Sequence, residues 1–530
     1  MPQTSLPLTR RALTRRTLLR SGALAGAGAL TAPALAACGS GGAPGTARAT
    51  GPAGQPRRGG TLRIAYLSTA ADSIDPLKTS DYLSNARLLQ VYEKLGLLGP
   101  GRKVRPLLYE RVAHNPDGTE WTFTLKEGVK FADGREMTAA DVLASYVTQS
   151  RTQAAASLAM IDAGRSSAPD ARTVRFVLTS PTADLDARFA SGYFTVMPDG
   201  RTATKAERLN GSGPYRVESF TPGGRSVLVR RKDYWGGAGR GHPDRIEMLA
   251  VPDPSARMNA LLAGQVDWAD NVAFADAWAQ RGNARVVLHP APAPDGLGWF
   301  LNATRPPFDD PRVRQAFRLA VDRNALVQAT TFGLGKVGND LWGVGLPWYA
   351  TGLPQRSRDT ARASALLKEA GKDRVTVRIL ASAMAPGLVE ASRLVVDQVR
   401  DTGFDVQVTE MPVDQFYADP SKYYDYSAVT FSWTAPFPEI AQYLYIPKAP
   451  YNFGWNDPSW AERFQDAAGE FDAAARQRAY DRLQRELWDS GTDLVWGLVP
   501  KQSATSPGVG GAGAVIDPTA PDLGGVWLAG

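Results

Sequence analysis

The spacing of the hydrophobic residues predicts strands and helices that alternate along most of the chain. Residues 61–67 read Thr-Leu-Arg-Ile-Ala-Tyr-Leu, and residues 120–126 carry Trp, Phe and Leu at every second position. A two-residue period is typical of strands that bury one face. Residues 81–95 instead place leucine and valine on one face of a helix. Further strands are predicted at 173–179, 215–220, 226–231 and 245–251.

Helix and strand patterns alternate more regularly after residue 299. Asp310 followed by Pro311 is typical of a helix start, because aspartate accepts a free backbone N–H and proline suits the first helical position. Gly371 and Gly403 end two further helical patterns. The strands after these helices are predicted at 375–380 and 404–408. This order predicts an α/β fold in which helices cover a sheet.

The first 37 residues have the pattern of an export signal. Arg15 and Arg16 precede a weakly apolar run at residues 21–37. The run is short and rich in alanine and glycine, so it predicts a cleaved signal of the twin-arginine type rather than a membrane span. Cys38, the only cysteine of the chain, follows immediately. This pattern resembles bacterial lipoprotein signals, in which the cysteine becomes the new amino terminus and carries the lipid.

Removal of the signal changes the charge balance. The whole chain has a formal net charge of +7, but five arginines and no acidic residue lie within residues 1–37. The mature chain keeps 55 basic and 53 acidic side chains, which argues against a nucleic-acid-binding protein. Residues 38–58 are rich in glycine, alanine and proline, and they predict a flexible stalk. The chain beyond the stalk is long enough for two or three lobes.

The sequence contains no motif of a metal site or of a common hydrolase. His114, His242 and His289 are far apart along the chain, and a single cysteine cannot form a cluster, so neither a metal nor a cofactor is predicted. The Gly-x-Ser-x-Gly motif is absent. Acidic residues are abundant, but their pairing in space cannot be read from the sequence. An exported lipoprotein hydrolase therefore stays open as an alternative to a binding protein.

Four sequence blocks occur in a fixed order. The longest, residues 115–142, begins with Asn-Pro-Asp-Gly-Thr and ends with Ala-Asp-Gly-Arg-Glu-Met-Thr-Ala-Ala-Asp-Val. The others are residues 211–215 with 231–235, residues 263–267 and residues 305–316. Together they resemble the family 5 extracellular solute-binding proteins, the receptors of oligopeptide, dipeptide and nickel ABC importers. The blocks contain turn and helix-start signals, so they indicate the fold rather than the solute.

The resemblance, which covers nearly all of residues 59–528, implies an α/β periplasmic-binding-protein-like class II fold with three lobes. A solute would bind in a ligand cleft between lobes one and three, which close by hinge motion. The protein would be a monomer, lipid-anchored at the outer face of the cytoplasmic membrane, and would deliver its solute to the permease of an ABC importer. A receptor that senses the solute without delivering it stays open. The implied boundaries are 59–92, 206–298 and 485–530 for lobe one, 93–205 for lobe two and 299–484 for lobe three.

The resemblance also suggests where the solute binds. In relatives that bind peptides, a segment similar to Gly-Trp-x-Ala-Asp provides an acidic side chain for the amino terminus of the peptide. In the matching residues 431–439, Trp433 falls on that tryptophan, but Pro436 stands in place of the aspartate. Glu439 is the nearest substitute. The resemblance implies a peptide or peptide-like solute, and Pro436, which offers neither a charge nor a donor, weakens that assignment. The alternative is an oligosaccharide or another non-peptide solute, which the thirteen tryptophans would suit by stacking.

Trp433 is the strongest candidate for contact with the solute, because tryptophan combines a wide apolar face with one N–H donor. Packing within the protein core is the alternative role for this residue. The other candidates lie in segments near the expected cleft. They are Ser68, Thr69, Trp299, Asn302, Thr434, Glu439, Tyr445 and Trp455.

Overall fold

The structure is a computed structural model that describes residues 52, 54–68, 72–78, 82–99, 102–152, 158–192, 194–291, 293–515 and 521–529. The predicted signal peptide, the lipidated Cys38, most of the stalk and Thr69 lie outside the described residues. The elements below belong to one unit that spans residues 47–530. Within the described part of the chain, no helix is long and apolar enough to cross a membrane.

The described residues form strands and helices in an interleaved order. The strands are β1 (Thr61–Tyr66), β2 (Gly96–Leu98), β3 (Val104–Pro106), β4 (Tyr109–His114), β5 (Glu120–Leu125), β6 (Thr173–Val177), β7 (Tyr215–Phe220), β8 (Arg225–Arg230), β9 (Arg245–Ala250), β10 (Trp268–Ala269), β11 (Val287–Pro290), β12 (Asp295–Leu301), β13 (Lys336–Val337), β14 (Val375–Ala381), β15 (Phe404–Glu410), β16 (Ala428–Trp433), β17 (Asp493–Val499), β18 (Gln502–Thr505), β19 (Val509–Gly510) and β20 (Trp527–Leu528). The helices are α1 (Tyr82–Val91), α2 (Ala139–Gln149), α3 (Leu185–Ser191), α4 (Pro254–Leu262), α5 (Phe274–Ala279), α6 (Pro311–Ala320), α7 (Arg323–Thr331), α8 (Thr360–Glu369), α9 (Leu388–Val399), α10 (Val413–Ala418), α11 (Phe437–Leu444), α12 (Pro458–Gly469) and α13 (Ala473–Ser490).

The largest sheet contains seven strands in the order β11-β18-β10-β1-β9-β8-β7. Its centre is parallel, since β1 pairs in parallel with both β9 and β10. Strand β8 is antiparallel to both β7 and β9, and β18 runs antiparallel to β10 and β11. In β1, Ile64 and Tyr66 face one hydrophobic core, whereas Ala65 faces another. Both faces of this sheet are therefore covered.

The second large sheet contains six strands in the order β13-β17-β12-β16-β14-β15. Strand β12 is antiparallel to β16 and β17, whereas β14 is parallel to β15 and β16. Leu297 and Trp299 belong to the core under α6 to α9, and Phe300 belongs to the core under α10 to α13. This sheet is thus also covered on both faces, as the sequence predicts for the second half of the chain.

Three smaller sheets complete the fold. Strands β4, β5 and β6 form an antiparallel sheet, and β2 pairs with β3 and β19 with β20. The alternation predicted at residues 120–126 is confirmed: Trp121, Phe123 and Leu125 are buried in the core beneath α2 and α3. This core is separate from those of the two large sheets.

Aspartate residues start many of the helices. The side chain accepts a backbone N–H of the first helical turn, which contributes about 1 kcal/mol to helix stability. The residues with this role are Asp253, Asp310, Asp322, Asp359, Asp457 and Asp472. The helix start predicted at Asp310 is confirmed. The helix predicted over 81–95 ends at Val91, because the carbonyl of Val91 instead accepts the backbone N–H of Gly213.

The chain passes between the two large sheets at two adjacent places. It crosses between β11 and β12, and it returns between β17 and β18. The backbone N–H of Ala291 in the first passage donates to the carbonyl of Lys501 in the second at 2.8 Å. The lobe boundaries predicted at 298 and 484 differ from these passages, because β12 and β17 both belong to the six-stranded sheet. The division into three lobes itself stays a prediction.

Candidate functional site

A pocket lies where the two large sheets meet. It encloses about 420 Å³ of empty space, including the part that is open to solvent. The seven-stranded side contributes residues from α1, the segment after β10 and the passage to β18, while the six-stranded side contributes β12, β16, β17, α10 and the segment after β14. The lining residues are Tyr82, Asn271, Phe274, Asp295, Met384, Ala385, Pro386, Tyr417, Ser432, Val499 and Lys501. Aromatic, aliphatic and hydrogen-bonding groups therefore converge on one cavity, as in small-molecule sites.

Asp295 and Lys501 form an ion pair in the wall of this pocket. The ammonium of Lys501 lies 3.2 Å from a carboxylate oxygen of Asp295. It also donates to the hydroxyl of Tyr82 at 3.2 Å, and it lies 4.8 Å from the centre of the Tyr82 ring. Burial lowers the pKa of Lys501, but Asp295 and Tyr82 outweigh burial and raise it above its ordinary value. Lys501 therefore stays charged at neutral pH.

Two hydroxyl groups on β16 and just beyond it support Asp295. The hydroxyl of Ser432 donates to one carboxylate oxygen of Asp295 at 3.4 Å, and that of Thr434 donates to the other. These partners follow from strand pairing, since β12 and β16 are neighbours and Leu297 lies opposite Ser432. One carboxylate oxygen thus contacts both the Ser432 hydroxyl and the Lys501 ammonium, and the other accepts the Thr434 hydroxyl.

Tyrosine side chains form another part of the wall. Tyr417 lines the pocket, and 47% of its surface is exposed. Protein still surrounds this side chain, so burial raises the pKa of its hydroxyl well above the ordinary value, and Tyr82 and Tyr423 raise it further. A neutral phenol offers an aromatic face together with a hydroxyl that can donate or accept. The wall can therefore bind uncharged polar groups as well as flat apolar ones.

Arg257 fixes the backbone beside Asn271. Its side chain is 1% exposed and donates to the carbonyls of Asp270 and Asn271, each at 2.6 Å. It also donates to the carbonyls of Val251 and Pro252 after β9. Asn271 has a φ of 44°, a left-handed conformation that asparagine tolerates better than most residues. Arg257 thus connects the loop after β9 to the segment after β10, which carries Asn271 and Phe274 into the pocket wall.

Two of the predicted site residues lie at or next to the pocket. Thr434 reaches it through its hydrogen bond to Asp295. Trp433 lies on the opposite face of β16 from Ser432, where its ring centre is 5.5 Å from that of Tyr443 and 6.1 Å from that of Tyr451. Trp433 therefore belongs to an aromatic cluster next to the pocket rather than to its lining residues.

Trp299, Asn302 and Tyr445 lie in the interior and away from the pocket lining. Trp299 is fully buried and donates to the hydroxyl of Ser392 at 3.0 Å. The amide of Asn302 donates to two backbone carbonyls of the segment before β16, and the hydroxyl of Tyr445 donates to Asp493. These contacts stabilise the fold around the six-stranded sheet.

The remaining predicted residues that the structure describes are not among the residues that line the pocket. Ser68 is buried after β1, and Glu439 is half-buried in the first turn of α11. Trp455 is half-buried, with its ring edge toward Trp460. Pro436 begins α11 as its N-terminal cap, so no side-chain charge stands at that position. In the part of the chain that the structure describes, no group of three His, Cys, Asp or Glu side chains could hold a metal ion.

The sequence motifs do not reveal Asp295, Lys501, Tyr82 or Tyr417. Asp295 and Lys501 each flank a hydrophobic run, namely the one that forms β12 and the one that forms β17. A single charge at the end of a buried strand is a usable signal, because such positions place side chains at the edge of a sheet. The sequence contains no signal that brings these two ends together.

Comparison with known proteins adds a family and a set of similar folds. The model of the bacterial extracellular solute-binding proteins, family 5 Middle, matches residues 103–455. The glutathione-binding protein GsiB of Pectobacterium atrosepticum is 26% identical over 459 residues, which cover 82% of this chain and 87% of that protein. GsiB of Salmonella typhi is 25% identical over 373 residues, or 67% of this chain and 70% of that protein.

Solved structures have the same fold. The binding protein AgaA of A. tumefaciens R10, in complex with agropinic acid, gives a TM-score of 0.78 at 23% identity, with 89% of this chain and 99% of that chain covered. DppA of Helicobacter pylori, in complex with the peptide STSA, gives 0.77 at 18% identity, with 89% and 98% covered. AppA of Bacillus subtilis, in complex with a nonapeptide, gives 0.76 at 19% identity, with 90% and 100% covered. The predicted periplasmic-binding-protein-like α/β fold is confirmed.

The family model spans two thirds of the chain, and it includes the longest of the four ordered blocks. Its relatives are named as binding proteins, and family 5 proteins act outside the cytoplasm as the solute receptors of ABC importers. The resemblance predicted from the sequence is confirmed: this chain belongs to the family 5 bacterial extracellular solute-binding proteins.

Proposed function

We propose that this protein captures a peptide or peptide-like solute outside the cytoplasmic membrane and delivers it to the permease of an ABC importer. The observation that carries the proposal is the pocket between two sheets that are joined by two adjacent passages. Such a joint allows the sheets to close on a solute by a hinge motion. A permease can then distinguish the closed form from the open one.

The chemistry of the pocket suits a peptide-like solute. Asp295 and Lys501 offer both signs of charge, as the two ends of a peptide require. Tyr82, Tyr417 and Ser432 offer hydroxyl groups for amide N–H and C=O groups, and Phe274, Met384 and Val499 offer apolar surface for side chains. The names of the relatives agree with this class, since GsiB is a glutathione-binding protein and DppA holds the peptide STSA.

A non-peptide solute of the same importer class is the second candidate. AgaA, which is similar in fold over nearly its whole length, holds agropinic acid. The tyrosine-rich wall of the pocket would also suit an oligosaccharide, because sugar rings stack on aromatic faces. Pro436 stands where peptide-binding relatives are expected to have a carboxylate, and its lack of charge favours a non-peptide solute.

Native mass spectrometry of the freshly purified protein tests the proposal, since such receptors often retain their solute. The mature chain, with Cys38→Ser to prevent lipidation, would be exchanged into a volatile buffer and measured intact. We expect an excess mass that is lost on denaturation and whose fragments are amino acids joined through amide bonds. Fragments made of sugar units would favour the second candidate. If the protein retained no solute and bound no added peptide or sugar, the result would contradict the proposal.

The same preparation separates a receptor from a hydrolase. The released solute would be incubated with fresh protein for hours and then measured again. A receptor returns the solute intact, whereas an exported hydrolase returns its fragments. We expect the intact solute, because the relatives of this chain are named as binding proteins.

The proposed location follows from the amino-terminal segment. Export through the route signalled by Arg15 and Arg16, cleavage before Cys38 and lipidation of its thiol would leave the protein tethered to the outer face of the cytoplasmic membrane. A stalk at residues 38–58 would then separate the anchor from the folded body. We further propose that the protein acts as a monomer, which size-exclusion chromatography with light scattering tests.

A further inference from the structure

The ion pair in the pocket resembles an occupied binding site. Among the described lining residues, Asp295 and Lys501 carry the charges, and they neutralise each other. Their side chains are only 7% and 13% exposed. The ammonium of Lys501 therefore occupies the place in front of Asp295 that the ammonium of a solute would take.

A solute with one charge would disrupt this balance. If an ammonium alone displaced Lys501 from Asp295, the Lys501 ammonium would remain in the closed pocket with the Tyr82 hydroxyl as its nearest described partner. A carboxylate alone on Lys501 would likewise separate Asp295 from its cation. Leaving one member of a buried pair without its counter-charge is strongly unfavourable. A solute that carries both charges side by side keeps every charge paired.

We propose that the pocket recognises a free α-amino-acid head group, with its ammonium at Asp295 and its carboxylate at Lys501 and Tyr82. This inference rests on the proposed function and narrows its solute class. It favours compounds linked through a side chain, such as γ-glutamyl peptides, in which ammonium and carboxylate remain on one carbon atom. In an ordinary α-linked peptide, the carboxyl group next to the ammonium is consumed in the amide bond.

The neighbouring contacts are arranged for such an exchange. Ser432 and Thr434 hold the Asp295 carboxylate independently of Lys501, so its orientation survives when the lysine moves to a solute carboxylate. The Tyr82 hydroxyl, next to the ammonium of Lys501, can donate to the same carboxylate.

The position of the pair at the joint between the sheets also supports the proposal. Asp295 begins β12 directly after the first passage, and Lys501 lies in the second. The hydrogen bond between Ala291 and the carbonyl of Lys501 connects the two passages. A head group bound here would contact segments shared by both sheets, while the rest of the solute extends toward Phe274, Met384 and Tyr417.

Calorimetric titration of the mature Cys38→Ser chain with two isomers tests the proposal. γ-Glutamylglycine and α-glutamylglycine have the same composition and charge, but only the γ-isomer keeps the ammonium and a carboxylate on one carbon. We expect the γ-isomer to bind at least about tenfold more tightly, because a hydrogen bond to a charged group typically changes the affinity by about this factor. Equal affinity of the two isomers would overturn the head-group proposal and leave the peptide-receptor function standing.

Lys501→Met, which preserves length and removes charge, should lower the affinity for the γ-isomer and abolish the preference. Lys336→Met, at an exposed position on β13, is the matched control and should change neither. A preference that persists in Lys501→Met would overturn the proposal. If that variant does not fold, as judged by circular dichroism, blocked γ-isomers replace it: acetylation of the ammonium and amidation of the α-carboxyl should each weaken binding to the wild type about tenfold.

Failure of the head-group assignment can be distinguished from failure of the proposed function. If α-linked peptides bind and the blocked γ-isomers bind as well as the unblocked one, only the head-group assignment fails. If no amide-linked compound binds, and the solute released in the mass-spectrometric experiment is of another class, the proposed function fails and the head-group assignment fails with it.

Discussion

Asp493 should give this protein a pH-dependent stability. The residue begins β17, the strand that leads to Lys501, and it is 2% exposed. Burial raises the pKa of its carboxyl to about 7, although Tyr445 donates a hydrogen bond to it and the buried Arg318 lies nearby. In an unfolded chain the pKa of aspartate is about 3.9. Between these two pH values the folded protein holds a proton that the unfolded chain releases.

The sign and size of the effect follow from this difference. Because the folded state binds more protons, its free energy of unfolding falls as the pH rises from about 4 to about 7, and the effect is constant above that range. One pKa unit corresponds to about 1.4 kcal/mol, so a shift of about three units amounts to as much as about 4 kcal/mol. Asp493→Asn cannot ionise, so the variant should gain up to this amount relative to the wild type between pH 4 and pH 8.

Urea denaturation followed by circular dichroism at several pH values measures the effect. The informative quantity is the difference in free energy of unfolding between wild type and Asp493→Asn, because His289 and other titrating groups contribute to both proteins. Tyr445→Phe is a matched variant: the loss of its hydrogen bond should raise the pKa of Asp493 further and move the change to higher pH. A difference in the free energy of unfolding that stays constant from pH 4 to pH 8 would contradict the raised pKa of Asp493 in the folded protein.

Three further predictions concern the pocket wall, the anchor and the aromatic cluster. Arg257→Met should lower the free energy of unfolding by about 3 kcal/mol in urea denaturation, because several backbone carbonyls lose a charged donor; a loss below about 1 kcal/mol would contradict this role. Cys38→Ala should release the protein from the membrane fraction, and lysine in place of Arg15 and Arg16 should block export; cell fractionation measures both effects. A processed Cys38→Ala protein that remains wholly membrane-bound would exclude lipidation. Trp433→Ala should weaken solute binding by about 0.5–1.5 kcal/mol in calorimetry, because the aromatic cluster beside the pocket loses its contacts with Tyr443 and Tyr451, whereas unchanged affinity would assign Trp433 to packing alone.

The parts of the fold that could be predicted are those with one-sided burial. Strand β5 buries alternate side chains along its whole length, and β1 does so over its first four residues, so their pattern is visible in the sequence. Strands β12 and β17 are buried on both faces, so they have no alternation to detect. In β12, Gly296 and Gly298 also suggest a loop, because glycine is typical of turns. The structure explains Gly296: a Cβ there would lie 2.6 Å from the ring of Trp342, so only glycine lets that ring pack against the strand.

The site was harder to predict because its residues come together through strand pairing rather than along the chain. The family motif led to residues 431–439, where the aspartate expected of a peptide receptor is Pro436. Gly296 on β12 pairs with Trp433 on β16, so the neighbouring Asp295 stands beside that same segment and accepts the hydroxyl of Thr434. A carboxylate is thus present in the pocket, but it comes from the adjacent strand, more than 130 positions earlier in the chain. An alignment follows one strand at a time, and only the register between strands brings Asp295 within hydrogen-bonding reach of Thr434, two residues before Pro436.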